Sequence, residues 1–181
     1  MSETLQERRV FRECIFFRKI YNSVIINIEN DKITLTVSKP KIEFNSYPDI
    51  KFVLKEYPFQ KPTVYVYNNN KEIKYLESRK YCNFPRIVEA MKILNNKNFI
   101  KDLPLSRKVK KNQKIKSQEC LCCNSILCDW TPALVMEKIA HEIMMTNQIK
   151  KQIKVILELN EVSKKYKIPY DNQVEIISYL Y

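Results

Sequence analysis

Four of the six cysteines fall within nine residues, at positions 120, 122, 123 and 128, and Trp130-Thr131-Pro132 follows at once. Cys14 and Cys82 stand apart. A disulfide framework spreads its cysteines to close long loops, and this cluster does not. The pattern fits reduced thiols in a reducing compartment, cytoplasm or nucleus. Three uses compete for such thiols. A thiolate is a nucleophile and an acyl acceptor. Cys120-x-x-Cys123 has zinc-knuckle spacing, with Cys128 or Cys82 as further ligands. A cysteine can also pack as a small hydrophobe without chemistry. His141 is the sole histidine, and it falls inside a helix predicted after Trp130, where it reads as a surface or satisfied helix residue rather than a catalyst.

The elements that would position these residues read as an α+β pattern. Residues 3–18 predict a helix, with Leu5, Val10, Cys14 and Phe17 at loosely helical spacing. Four strands of an antiparallel meander follow: Val24–Ile28, Ile33–Val37, Ile50–Leu54 and Thr63–Tyr67. Ile33, Leu35 and Val37 alternate with Thr34, Thr36 and Ser38, the mark of a half-buried strand. Asn30-Asp31 suits the hairpin turn between the first two strands. After the cysteines, Thr131 and Pro132 read as N-cap and first turn of a helix running to about residue 147. A second helix is expected over 149–165 and a short last one over 171–180. Residues 87–94 suit a short helix.

A chain of 181 residues suits a single domain, 1–181, with a long insertion at about 68–118. No run of about 18 apolar residues is present, so no membrane span is expected. The first seven residues are acidic and polar, unlike a secretory signal. The chain contains no glycine. A Gly-rich phosphate loop is thereby excluded, and tight positions with positive φ are expected to fall to Asn or Asp, as in Glu29-Asn30-Asp31 or Asn68-Asn69-Asn70.

Tyr57-Pro58-Phe59-Gln60-Lys61-Pro62-Thr63-Val64, followed later by Cys122-Cys123 and Cys128-Asp129-Trp130-Thr131-Pro132-Ala133-Leu134, resembles the ubiquitin-conjugating enzyme family. The resemblance covers residues 1–67 loosely and 120–147 well. It implies a cysteine that accepts ubiquitin or a related modifier as a thioester from an activating enzyme and passes it to a lysine. The family's cysteine precedes the Trp by eight residues, which selects Cys122. Matching the apolar pair Ile126-Leu127 selects Cys123 instead. Matching a Cys-Leu dipeptide selects Cys120, and then Asn112 stands where the family places its oxyanion asparagine. The family's His-Pro-Asn tripeptide is absent. By the same resemblance, activating enzyme and ubiquitin ligase would dock at Arg8, Arg9, Phe59 and Pro132. Two alternatives stay open: an inactive variant that binds ubiquitin or a ligase, and a zinc-stabilised cysteine cluster with a structural role. Zinc is the one cofactor that the cysteine spacing suggests.

The net charge is +12. Much of it lies in Lys97, Lys101, Arg107, Lys108, Lys110, Lys111, Lys114 and Lys116, just before the cysteines. Few apolar residues break this stretch, which reads as an exposed loop from about 104 to 118. Phe99 is the one aromatic there, so any nucleic-acid binding is expected to be weak, salt-sensitive and non-specific.

Overall fold

The computed structural model describes residues 4–29, 32–44, 46–68, 71–76, 125–169, 171–172 and 175–176. Helix α1 spans Leu5–Ile20, and it opens on a capping box. The Glu7 N–H donates to Thr4 Oγ1 at 3.2 Å, and the Thr4 N–H donates to Glu7 Oε2 at 2.6 Å. Two backbone donors that the helix leaves unpaired are thus satisfied. Its inward face is Val10, Cys14, Phe17 and Ile20. Leu5, expected on that face, is 76% exposed, because it lies in the first turn beyond the reach of the sheet.

Five strands follow in sequence order: β1 Tyr21–Glu29, β2 Lys32–Pro40, β3 Ile50–Lys55, β4 Thr63–Asn68 and β5 Lys71–Lys74. Every neighbouring pair is antiparallel, so the sheet is a meander. The β1–β2 register closes with Glu29 opposite Lys32; the expected Asn30-Asp31 turn between them lies outside the described residues. The expected four strands are five. β5 carries no strand signal of its own, because Lys71-Glu72-Ile73-Lys74 has one apolar residue and no apolar alternation. It is a strand through its partner, with Tyr65 opposite Lys74 and Tyr67 opposite Glu72. The inner face of the sheet carries Ile33, Leu35 and Val37 from β2, Ile50, Phe52 and Leu54 from β3, and Val64 and Val66 from β4, all buried. Phe17 of α1 seats on Phe52 with ring centroids 5.5 Å apart.

The second long helix, α2, runs unbroken over Met136–Tyr166. Two helices were expected here. Asn147-Gln148 is polar but contains neither Pro nor Gly, so nothing stops helix propagation. Its N-terminus also differs from expectation. Pro132 and Ala133 form a turn closed by the Leu134 N–H donating to the Thr131 carbonyl at 2.9 Å, and the helix begins four residues later. Met136, Ile139, Ala140 and Ile143 of α2 complete the core. Residues 171–172 and 175–176 are helical, within the expected last helix.

Among the described residues the positive-φ positions are Lys39, Glu56 and Lys167; of the expected Asn and Asp positions, Asn30, Asp31, Asn69 and Asn70 lie outside the described residues. Each positive-φ position holds a long unbranched residue, for which the left-handed region costs about 1–2 kcal/mol. Local hydrogen bonds offset that cost. The Lys39 N–H donates to Asp49 Oδ1 at 2.9 Å. The Glu56 carbonyl accepts from Phe59 and Gln60. After Lys167, the Ile168 N–H closes the end of α2 on the Ser163 carbonyl at 3.0 Å.

Candidate functional site

Trp130 joins the two segments that carry the sequence resemblance. Its Nε1–H donates to the Pro58 carbonyl at 2.9 Å, and its ring lies 5.9 Å from that of Tyr57. The Tyr57–Pro58 peptide is cis, Tyr57 is buried and Phe59 is 77% exposed. The Pro-Phe turn and the Trp-Thr-Pro turn therefore form one surface at one end of the sheet.

Glu13 ties that surface to both helices. One carboxylate oxygen accepts from Arg9 Nε and from Tyr57 Oη at 2.7 Å. The other accepts from the Met136 N–H at 2.7 Å. Val135, the N-cap residue of α2, has no side chain to cap the helix, so a carboxylate from α1 performs that task. Arg9 also donates to the Leu134 carbonyl at 3.2 Å and reaches the Pro132 carbonyl at 3.5 Å. Its hydrogen bond to Glu13 raises the Arg9 pKa above the ordinary value. The Tyr57 hydroxyl is pushed upward too, first by burial and then by its bond to Glu13.

Glu142 organises the segment that leaves the cysteine cluster. It is 7% exposed and lies on the inner face of α2. Its Oε1 accepts from Ser125 Oγ at 2.7 Å and from Tyr75 Oη at 2.9 Å, and its Oε2 accepts from the Ile126 N–H at 2.8 Å. The Ser125 hydroxyl in turn accepts from the Leu127 N–H at 3.3 Å, and the Cys128 N–H closes a turn on the Ser125 carbonyl at 2.9 Å. Thr146 Oγ1 donates to the Glu142 carbonyl and lies 3.3 Å from Tyr75 Oη. One buried carboxylate thus fixes Ser125–Cys128 against β5's extension and α2.

Cys120, Cys122, Cys123, Cys82 and Asn112 lie outside the described residues, as do the basic stretch 97–116 and the expected helix at 87–94. Cys128 is exposed and Cys14 is buried. Burial raises the Cys14 thiol to about 11, which makes it a packing residue of α1. Among the described residues no group of three His, Cys, Asp or Glu side chains is placed to hold a metal ion. Of the docking candidates, Arg8, Phe59 and Pro132 are exposed, whereas Arg9 is engaged within the molecule. His141 lies 2.7 Å from Tyr47 through its Nδ1, a satisfied helix residue as expected.

Sequence reasoning missed Glu13 and Glu142. A signal existed for the second: Ile139, Glu142 and Thr146 recur at the three- and four-residue spacing of the buried face, so a carboxylate on that face required partners. Comparison with protein-family models, with curated proteins and with solved structures gave no match.

Proposed function

We propose that the chain carries ubiquitin or a related modifier as a thioester on Cys122 and passes it to a lysine, in the manner of ubiquitin-conjugating enzymes. The observation that carries this reading is the hydrogen bond from Trp130 to Pro58. It unites the Tyr-Pro-Phe turn with the Trp-x-Pro segment, the two sequence features of the resemblance, beside the end of the cysteine stretch. The Cys122 thiolate attacks the modifier's thioester carbonyl on the activating enzyme; a new C–S bond forms, the old one breaks, and the activating enzyme's thiolate leaves. A lysine amine then attacks the same carbonyl, loses a proton, and releases the Cys122 thiolate. Asn112 would donate to the oxyanion in both steps. Glu142 enters as the group that holds the exit of the cysteine stretch. The reading is tested with activating enzyme, ATP and ubiquitin. A reductant-sensitive adduct is expected, lost in Cys122→Ala and kept in Cys82→Ala; loss in Cys123→Ala or Cys120→Ala alone would move the nucleophile there. No adduct with any ubiquitin-like modifier removes the catalytic reading.

A second reading, a non-catalytic module that binds a modifier or ligase, draws on the exposed Arg8, Phe59 and Pro132, whose chain neighbours touch one another. Saturable shifts of ubiquitin amide resonances without a thioester favour it. Stoichiometric zinc in protein purified without chelator would tie up the thiolates and favour the structural cluster over both.

A further inference from the structure

β1 stands at one end of the sheet order, with β2 on one side of it. A strand in that position offers a second row of backbone N–H and C=O groups to whatever pairs next. Which residues own that row follows from the register. The Tyr67 N–H donates to the Asp49 carbonyl, so Asp49 faces β4. Successive residues of an antiparallel ladder face opposite neighbours. Ile50, Phe52 and Leu54 therefore face β2, and their partners Val37, Leu35 and Ile33 face β3. The Lys39 N–H, which reaches Asp49 Oδ1, keeps the same alternation. Ser38, Thr36 and Thr34 then face β1, where they meet Ser23, Ile25 and Asn27. Val24, Ile26 and Ile28 direct their backbone groups to the outer edge.

The same three residues lie on the core side of the sheet. Val24 and Ile26 are half-buried against the core, and Ile28 is 48% exposed. β1 carries none of the devices that keep edges apart: it holds neither Lys nor Pro, its register runs unbroken from Ser23, and its one charge, Glu29, is its last residue.

The strand is also complementary to itself. Laid antiparallel about Ile26, it sets Ile26 against its own counterpart and Val24 against the counterpart of Ile28, so every core-side pair is apolar. A slip of two residues sets Ile28 against Asn22 or leaves Val24 without an apolar partner. The antiparallel arrangement brings the Glu29 end of one strand toward the start of the other, where the last turn of α1 carries the exposed Arg18 and Lys19.

We propose that the chain pairs with a second copy of itself through β1, edge to edge and antiparallel about Ile26, so that the two sheets become one across a two-fold axis. The pairing uses none of the cysteines and is independent of the thioester reading. One short strand is a smaller contact than the roughly 1,200–2,000 Å² of stable complexes, so a weak dimer is expected.

Sedimentation equilibrium of the full chain from micromolar to millimolar concentration is expected to show a monomer–dimer equilibrium. Ile28→Lys sets an ammonium group against Val24 of the second copy and is expected to weaken the dimer at least tenfold. Its thermal midpoint at micromolar concentration is expected to match the parent, because Ile28 is half-exposed. Amide exchange locates the contact. At millimolar concentration the Val24, Ile26 and Ile28 amides are expected to slow, while those of Ser23, Ile25 and Asn27 stay as slow as in the monomer because they bond to β2 throughout. A chain that remains monomeric at millimolar concentration overturns the proposal. So does a dimer that Ile28→Lys leaves intact. Exchange at Val24, Ile26 and Ile28 that is already slow in the dilute monomer overturns it too, and gives the edge to a segment of the same chain.

Discussion

At the scale of single residues, one carboxylate and one buried thiol make the sharpest predictions. Glu142→Ala strands the Ser125 and Tyr75 hydroxyls and the Ile126 N–H without their acceptor. Buried polar groups left unpaired cost about 1–3 kcal/mol each, so a loss of at least about 3 kcal/mol is expected in urea unfolding. Glu142→Gln keeps one acceptor oxygen and is expected to lose less. Cys14 predicts a pH dependence. Its thiol is raised from 9.0 to about 11 by burial. The folded state therefore keeps a proton that the unfolded chain loses first, and the contribution is full below pH 9 and falls as pH rises toward 11. Stability measured across that range in parent and Cys14→Ala should show a shallower alkaline loss in the variant. In the folded protein at neutral pH, alkylation is expected to spare Cys14 and reach the exposed Cys128.

At the scale of elements, Trp130 and Thr4 separate two kinds of local support. Trp130→Phe keeps a ring beside Tyr57 but removes the donor to Pro58. A loss of about 1 kcal/mol is expected, with broadened amide signals confined to residues 57–60 and 128–134. Thr4→Ala opens the capping box of α1 and is expected to cost about 1 kcal/mol, read as a lower urea midpoint at unchanged slope. The legibility of the elements followed how local their causes are. The alternation of Ile33, Leu35 and Val37 with Thr34, Thr36 and Ser38 identified β2, and those three apolar residues are buried. β5 escaped notice because its cause is the neighbouring strand. The start of α2 was misplaced because Pro132 is a good first-turn residue by local chemistry, yet the cap that sets the boundary comes from Glu13. Arg9, a docking candidate by the resemblance, is instead engaged within the molecule, by Glu13 four residues on and by the Leu134 and Pro132 carbonyls more than 120 positions away.

At the scale of the whole molecule, the sheet and α1 form one seat, and α2 lies across it as a rod of roughly 46 Å at 1.5 Å per residue. No helix among the described residues is long and apolar enough to cross a membrane.

The bond between Glu13 and the Met136 N–H has a consequence in time. The carboxylate that opens α2 is made more than 120 residues before the amide it serves. While the chain is being made from its N-terminus, α1 and the meander can pack together, but Glu13 has only Arg9 and Tyr57 to meet. The first turn of α2 waits for an acceptor that is already in place, so α2 docks onto a surface made before it. In Glu13→Ala that order should fail at its final step. Amide exchange should then speed up at Met136 and its next turn, while the strands keep most of their protection.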